Sequence, residues 1–318
     1  MNRAKILYLV IPCYNEHEVL PETSKQLKNK LGMLISTGKI SPNSRICFIN
    51  DGSSDNTWQI IADLHEQNKI FSGICLSRNR GHQNALLAGL MTVKDFCDFT
   101  ISLDSDLQDD VNCIDAMVDK FYGGYDIIYG VRKKRDTDSF LKKITAEGFY
   151  KFISFMGAQI VYNHSDYRMM SKRAVEGLAE FKEVNLFLRG MVPMLGFKSD
   201  KVYYDRLERC AGESKYPFKR MLFFALQGIT SLTVEPIRII AEFGLLVFVI
   251  SFLILLWSLY RHFTGETITG WTSIMVSVWA IGGAILFAIG IIGEYIGEIY
   301  LESKHRPRYI VSEFLNEK

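Results

Sequence analysis

The sequence predicts an α/β domain with a mainly parallel sheet, followed by a pair of apolar helices. Two observations predict this fold class. Up to about residue 214, apolar runs of strand length alternate with amphipathic stretches of helix length, which is the βαβ rhythm of a parallel sheet covered by helices on both faces. Further on, the runs 243–260 and 271–293 contain no charged residue.

The predicted elements of the first part follow one another in regular alternation. Each predicted strand is an apolar or β-branched run that ends in turn residues, and a helical pattern follows it. Asp55 or Asn56 can cap the helix that begins near Thr57. The main strands are predicted at 6–12, 45–50, 99–103 and 126–130, and the helices at 17–36, 57–68, 82–94, 110–122 and 139–156.

Length, charge and cysteine usage limit the classes of protein. A chain of 318 residues has room for one large domain and an appendage. The net charge of +2 gives no reason to expect a nucleic-acid partner. The six cysteines show neither CxxC nor Cys/His metal spacing, which is typical of reduced thiols in a cytosol-facing domain. The apolar run 6–11 is too short for the core of a signal peptide.

Carboxylates follow the predicted strand 99–103, at the edge where open α/β sheets bind ligands. Asp104 and Asp106 form an Asp-x-Asp pattern, and Gln108 adds an amide oxygen. Such oxygens are ligands for Mg²⁺ or Mn²⁺, and the metal can neutralise a diphosphate leaving group. Taken alone, an acidic loop of this kind is more often a solvated turn. Polar strand ends at 12–16 and 50–57 favour a ligand site instead.

Eight motifs, taken in order, resemble one enzyme family over nearly the whole chain. The first four resemble the family-2 glycosyltransferases of the Rossmann-like GT-A fold: PCYNE (12–16), NDGSSDNT (50–57), LSRNRGHQNALLAGL (76–90) and DSDLQDD (104–110). The other four are similar to the polyprenyl-phosphate branch, which includes bactoprenol glucosyltransferases and dolichyl-phosphate mannose synthases: YGVRKKR (129–135), SDYRMMSKRA (165–174), RCAGESKY (209–216) and GEYIGEIYLESKHRPRYIV (293–311).

The resemblance implies a set of donor-side residues. Asp106 and Gln108 would hold Mg²⁺ or Mn²⁺, and Asp51 would bind the nucleotide base. Ser105 is a small departure, because many relatives carry Ala at that position. Arg209 and Lys215 would belong to a loop that closes over the donor phosphates, where cations compensate charge. The residues implied in nucleotide-sugar binding are Pro12, Tyr14, Glu16, Asp51, Asp104, Ser105, Arg209 and Lys215.

The acceptor side is predicted from fewer residues. Arg132 and Arg135 are the expected phosphate ligands, and Asp166 matches the acidic residue that the family places near the acceptor. A phosphate monoester has a second pKa of about 6, so its oxygen needs orientation more than deprotonation. Asp166 is therefore expected to guide the acceptor rather than act as a strong base. We interpret Arg173, Arg189 and His164 as structural, and expect no catalytic group in 76–90.

The apolar runs predict a two-helix transmembrane hairpin at 239–293, since a span needs about 20 apolar residues. A buried core helix is the alternative. Flanking Lys and Arg residues would place the catalytic domain and the C-terminus in the cytoplasm of a multi-pass membrane protein. Small residues on the second run allow close helix packing, within the hairpin or between subunits of a homo-oligomer. The predicted divisions are a catalytic domain at 1–214, interfacial helices at 215–238 (or a buried, domain-closing helix), the hairpin at 239–293 and a tail at 294–318.

These expectations combine into one predicted activity. The chain would transfer a hexose, glucose or N-acetylglucosamine rather than mannose, from a UDP-sugar to undecaprenyl or another polyprenyl phosphate at the cytoplasmic face of the membrane. The reaction would invert the anomeric centre and yield a lipid-linked monosaccharide for cell-envelope glycosylation. A processive polysaccharide synthase is one alternative, but no Trp follows an Arg to form the Gln-x-x-Arg-Trp motif. A non-catalytic sugar-nucleotide-binding scaffold is the other, and the intact DSDLQ segment disfavours it.

Overall fold

A computed structural model describes residues 4–132, 164–184, 186–205 and 271–316, together with positions 240, 242, 246 and 253. Within these residues eight strands form one sheet, in the spatial order β7-β5-β6-β4-β1-β2-β3-β8. The strands are β1 (Leu7–Cys13), β2 (Arg45–Asn50), β3 (Phe71–Leu76), β4 (Phe99–Ser102), β5 (Ile127–Arg132), β6 (His164–Ser171), β7 (Ser199–Tyr204) and β8 (Val311–Leu315).

Helices connect most of these strands. The helices are α1 (Leu20–Ser36), α2 (Thr57–Gln67), α3 (His82–Val93), α4 (Cys113–Tyr122), α5 (Lys172–Ala179), α6 (Leu188–Met194) and α7 (Trp271–Ser303).

Strand direction decides where the loops of the sheet meet. β1 is parallel to β2 and β4, β2 is parallel to β3, and β5 is parallel to β7. β6 is antiparallel to both β4 and β5, and β8 is antiparallel to β3. Six strands therefore point the same way, and their carboxyl ends lie along one edge, where the first residues of β6 also lie. The predicted GT-A-like, mainly parallel sheet is confirmed.

Apolar side chains cover both faces of the sheet, as the alternating pattern predicts. Leu9 and Ile11 of β1 face the layer that contains α1, α2 and α4. Tyr8 and Val10 face the opposite layer, which contains α3, α5 and α6. All five described cysteines are free thiols. The core therefore consists of two apolar layers with the sheet between them.

Several element boundaries differ from the predicted ones for local reasons. α1 begins at Leu20 instead of residue 17, because the N–H groups of Val19 and Leu20 both donate to the carbonyl of Glu16 and form a separate turn. Asn56 is the N-cap of α2 and makes no side-chain cap bond, whereas Asp55, one residue earlier, accepts the N–H of Thr57 through Oδ1 at 3.0 Å. The predicted helix at 139–156 and the interfacial segment at 215–238 lie outside the described residues.

The C-terminal region corrects one prediction. Among the described residues, the structure shows no helix with both the length and the apolar character that a membrane crossing requires. The predicted two-helix hairpin at 239–293 and the multi-pass membrane location derived from it are therefore wrong. α7 covers the second apolar run, whereas most of the first run, 243–260, lies outside the described residues.

The end of the chain returns to the sheet as edge strand β8. Ser72 Oγ on β3 donates to the carbonyl of Leu315 at 2.8 Å, and Tyr8 Oη donates to Asn316 Oδ1 at 3.3 Å. The rings of Phe96 and Phe314 meet edge to face with centroids 5.8 Å apart. The segment that we predicted as a tail therefore packs against the same sheet that carries the polar strand ends.

Candidate active site

Two loops at the carboxyl edge of the sheet are bound to each other. The Asn15 N–H donates to Ser53 Oγ at 3.0 Å, and Asn15 Oδ1 accepts the Ser54 N–H at 2.9 Å. Asn15 has a φ of 54°, a left-handed conformation that Asn tolerates better than most residues. The next residue, Glu16, donates its N–H to Thr57 Oγ1. The loop that carries Tyr14, which is 45% exposed, is thereby fixed beside the end of β2.

Asp51 follows β2 and holds a third loop. Its buried carboxylate accepts the backbone N–H groups of Arg80 at 2.7 Å and Gly81 at 2.8 Å. Burial raises the pKa of Asp51, while these two bonds act in the opposite direction. Gly52 is required next to it, because a Cβ there would lie 2.5 Å from the backbone carbon of Arg78. The structure thus gives Asp51 a role in fixing the loop before α3; its contact with a nucleotide base stays a prediction.

His82, the first residue of α3, lies between two carboxylates. Its Nε2 is 3.4 Å from Asp166 Oδ2 and 3.7 Å from Asp104 Oδ1. Burial lowers the pKa of His82, but the hydrogen bond to Asp166 and the charges of Asp104 and Asp166 outweigh it and raise the pKa to about 9. The sequence analysis missed this residue. The available signal was a titratable side chain that begins a helix after a parallel strand, at the edge where such sheets bind ligands.

Asp166 lies in β6 and is surrounded by cations. Arg168 Nη2 donates to Oδ1 at 2.8 Å, and Arg189 donates Nε to Oδ1 at 3.3 Å and Nη2 to Oδ2 at 3.1 Å. Burial alone would raise the pKa of Asp166, but Arg189, His82 and Arg168 hold it well below its usual range. Arg189, which we interpreted as structural, is thus a direct partner of the predicted acceptor-side acid.

Asp104 follows β4 on the other side of His82. Burial and the nearby carboxylates of Asp109, Asp166 and Asp106 raise its pKa to about 6, while His82 opposes them. The carbonyl of the next residue, Ser105, accepts the hydroxyl of Thr23 at 2.7 Å, which ties this loop to α1. The two acids that His82 separates therefore differ in ionisation. At a pH of about 6, Asp104 begins to take up a proton, whereas Asp166 stays charged.

Asp106 and Gln108, the predicted metal ligands, belong to one tight turn. The Gln108 N–H donates to Asp106 Oδ1 at 3.2 Å, and Leu107 between them has a φ of 53°. No group of three or more His, Cys, Asp or Glu side chains within the described ranges is placed to hold a metal. One carboxylate with one amide oxygen still fits Mg²⁺, which proteins usually hold through one or two carboxylates while substrate phosphates and water complete its shell. The metal stays a prediction.

Arg132, at the end of β5, is bound to the loop that contains Asp104 and Asp106. Its Nη2 donates to Asp109 Oδ1 at 3.2 Å and its Nε donates to Tyr204 Oη at 3.2 Å. The Tyr204 hydroxyl also donates to Asp109 Oδ1, and it lies 2.8 Å from Ser165 Oγ. Burial and the charge of Asp109 raise the pKa of Tyr204. Arg132 therefore lies on the predicted side of the sheet, held by two residues that sequence analysis did not single out.

Comparison with known proteins identifies the family. The profile described as Glycosyl transferase family 2 matches residues 8–178, more than half of the chain. The chain belongs to glycosyl transferase family 2. The uncharacterized glycosyltransferase YkoT of Bacillus subtilis is 48% identical over 306 residues, which cover 96% of this chain and 91% of that protein. The bactoprenol glucosyl transferase of Shigella phage SfV is 38% identical over 313 residues, 98% of each chain.

Solved structures give a weaker likeness. Glucosyl-3-phosphoglycerate synthase from Mycobacterium tuberculosis aligns with a TM-score of 0.46 at 15% identity, over 71% of this chain and 78% of the other. A value this low supports no functional argument. The assignment of this protein as a glycosyltransferase depends on the family match and the sequence relatives.

The remaining predicted site residues of this family-2 glycosyltransferase fall into three groups. Pro12 is buried in β1 opposite Ile49 of β2, two residues before the exposed Tyr14. Arg173 binds the Asp126 carboxylate with Nε and Nη2, which agrees with the structural role we predicted. Arg135, Arg209, Lys215 and the side chain of His164 lie outside the described residues.

Proposed function

We propose that this glycosyltransferase moves a hexose from a nucleotide sugar to the phosphate of a polyprenyl phosphate. UDP-glucose is the first candidate donor and UDP-N-acetylglucosamine the second. The observation that carries the proposal is the cationic surrounding of Asp166, which suits a phosphate acceptor. The likeness to a bactoprenol glucosyl transferase over 98% of the chain supports the lipid class.

The charge around Asp166 favours a dianionic acceptor. The guanidinium groups of Arg168 and Arg189 and the imidazolium of His82 face two carboxylates, Asp166 and Asp104, which leaves an excess of one positive charge. Arg189 is 42% exposed at its side chain, so an incoming phosphate can approach it. A phosphate monoester is mostly a dianion at neutral pH. We therefore assign this group of residues to the acceptor phosphate.

The low pKa of Asp166 defines its chemical role. A carboxylate that is so reluctant to take up a proton is a poor general base, because the efficiency of such a base rises with its pKa. The acceptor oxygen is already anionic and needs no base. Asp166 therefore orients the cations that hold the phosphate, so that its oxygen faces the anomeric carbon of the donor.

The reaction is a single displacement. An acceptor phosphate oxygen forms a bond to the anomeric carbon, and the bond from that carbon to the diphosphate oxygen breaks. The nucleoside diphosphate leaves with the electron pair, and the anomeric centre is inverted. Asp106 and Gln108 are the residues that would hold Mg²⁺ or Mn²⁺, and such an ion, when bound, supplies positive charge for the diphosphate.

A transfer assay tests the proposal. Purified full-length protein is incubated with UDP-glucose, UDP-N-acetylglucosamine or GDP-mannose, and with undecaprenyl phosphate or undecaprenol. We expect glycosylated lipid from undecaprenyl phosphate only, and almost none from the Asp166→Asn variant. If neither lipid is glycosylated and free sugar is the only product, the protein is a hydrolase and the proposal is refuted. Long sugar polymers would point to a processive synthase.

A further inference from the structure

His82 connects two parts of the site that come from distant segments of the chain. Asp104 belongs to the loop after β4, and Asp166 belongs to β6. The imidazole lies within 4 Å of both carboxylates and is 37% exposed at its side chain. It is therefore neither a core residue nor a freely solvated one. In the proposed reaction it adds positive charge beside Asp166 but transfers no proton, since the nucleophile needs no base.

We infer that His82 is a positioning residue that fixes the direction of the Asp166 carboxylate and couples it to the Asp104 loop. The inference rests on the proposed function, because Asp166 is taken to arrange the acceptor phosphate. A positioning residue acts through another group. Its removal should therefore change the turnover step and leave donor binding nearly intact.

The backbone on either side of His82 holds the imidazole in place. The preceding residue, Gly81, is bound by Asp51. The following residue, Gln83, accepts the N–H of Leu188 at 2.8 Å through Oε1, and Leu188 begins the helix α6 that carries Arg189. His82 and Arg189 are thereby held in a fixed relation, and both reach Asp166 Oδ2. Without the imidazole, Arg189 would be the partner of Oδ2 that remains.

Charged groups on four described segments face His82. Asp104 lies after β4, Asp166 and Arg168 lie in β6, Arg189 lies in α6 and Asp51 lies after β2. The carboxylates favour the imidazolium and Arg189 opposes it, with a net effect that raises the pKa of His82 to about 9. At neutral pH the side chain is thus a charged donor, and it loses that charge only in alkaline solution.

Steady-state kinetics provide the first test. In His82→Gln, we expect kcat for transfer to undecaprenyl phosphate to fall by about 10- to 100-fold, the scale of a small misplacement of reacting groups. The KM for the nucleotide sugar should change by less than about threefold on the same reasoning. The wild-type decline of kcat near pH 9 should be absent in the variant. His305→Asn removes an exposed imidazole at a φ of 48°, which Asn tolerates, and serves as the matched control.

Histidine NMR provides a second test that needs neither activity nor a stable His82 variant. The ring carbon signal of His82 in the wild-type protein should titrate at about pH 9, and Asp166→Asn should lower that value because it removes the hydrogen-bonding carboxylate. A His82 signal that titrates near its ordinary value and ignores Asp166→Asn would overturn the inference. So would unchanged kcat in His82→Gln. A wild-type protein that transfers nothing to the lipid would instead refute the proposed function, and the titration would still decide the His82–Asp166 coupling.

Discussion

Asp51 accepts the backbone N–H of Gly81 at 2.8 Å, and through this bond the end of β2 holds the start of α3. Gly81 has a φ of 85°, a left-handed conformation that favours glycine, and it immediately precedes His82. A buried carboxylate in one βα loop thus determines where an imidazole of the next loop lies. Asp51, the predicted base-binding residue, is thereby linked through Gly81 and His82 to Asp166, the predicted acceptor-side residue.

Asp51→Asn should therefore disturb the site through the backbone. One carboxylate oxygen becomes an NH₂ group that faces a backbone donor, and a buried donor left without an acceptor costs about 1–3 kcal/mol. We expect a lower unfolding free energy, faster hydrogen exchange at the amide of Arg80 or Gly81, whichever faces the new NH₂ group, and reduced turnover. Asp63→Asn, on the surface of α2 with Gln59 as its partner, is the matched control. Unchanged exchange at both Arg80 and Gly81 would show that the loop does not depend on Asp51.

Arg132→Lys should weaken the response to polyprenyl phosphate far more than nucleotide-sugar binding. The guanidinium contacts Asp109 and Tyr204 through two different nitrogens, and a single ammonium cannot reproduce that fork. Calorimetry gives the donor affinity, and transfer rate against lipid concentration gives the acceptor dependence. Tyr204→Phe, which removes one partner and keeps the guanidinium, should have a smaller effect. If donor affinity collapses while the lipid dependence stays normal, Arg132 belongs to the donor site.

Asp106→Asn should remove most transfer activity while the fold survives. The change replaces the charged oxygen of the Asp106–Gln108 turn with a neutral amide, and Mg²⁺ prefers carboxylate oxygen. Chelation should stop the wild-type enzyme, and added Mg²⁺ or Mn²⁺ should restore it. Asp110→Asn, in the same loop but bound to the backbone of Asn112, is the control. Full turnover in excess chelator would refute the metal assignment.

Much of the sheet could be predicted from the sequence, because strand patterns and turn residues are local signals. Residues 45–50 and the start of α2 at Thr57 agree with the structure. The clustering of strand ends 12–16, 50–57 and 104–110 at one edge also followed from parallel pairing. The position of β6 could not be predicted in this way. It is an antiparallel strand that brings Asp166 between β4 and β5, and no local sequence pattern indicates where such a strand pairs.

The electrostatic partners were harder to predict for the same reason. His82, Asp166 and Arg189 are separated by more than twenty residues along the chain, and their contact depends on how α3, β6 and α6 pack. Asp109, in the loop after β4, and Tyr204, at the end of β7, are likewise distant in the chain and meet only in the folded sheet. The C-terminal prediction was based on the apolar character of two runs alone. That character does not indicate that the chain returns to the sheet as β8.

Arg173→Gln should destabilise the fold without changing transfer. Burial raises the pKa of Asp126, but hydrogen bonds from Arg173 and Ser171 outweigh it and lower the pKa overall. Since this folded-state pKa lies below the unfolded value, the stabilisation is present above about pH 4 and is lost as the pH falls through the folded value. Urea unfolding should therefore separate variant from wild type at pH 7, and the gap should narrow in strong acid. A gap that widens in acid would contradict this account.

Arg308 connects the C-terminal segment to the stretch of chain that precedes α6. Its Nη1 donates to the carbonyl of Phe181 at 3.0 Å and to that of Glu183 at 3.4 Å. Glu302 accepts the N–H of Val184 in the same stretch. This stretch leads directly into α6, whose Arg189 binds Asp166. The C-terminal segment therefore holds the stretch of chain that leads towards Arg189.

Arg308→Ala should consequently lower turnover by a few fold, roughly what a small shift of a positioned group produces, and leave nucleotide-sugar affinity unchanged. Hydrogen exchange should rise at 181–184, because two carbonyls lose their donor. Arg306→Ala, two residues earlier and exposed, is the control. If Arg308 acts through Arg189, the Arg308→Ala change should have little further effect on kcat in an Arg189→Ala background, since coupled residues are not additive. Fully additive losses in the double variant would show that β8 and the segment before it stabilise the domain without reaching Asp166.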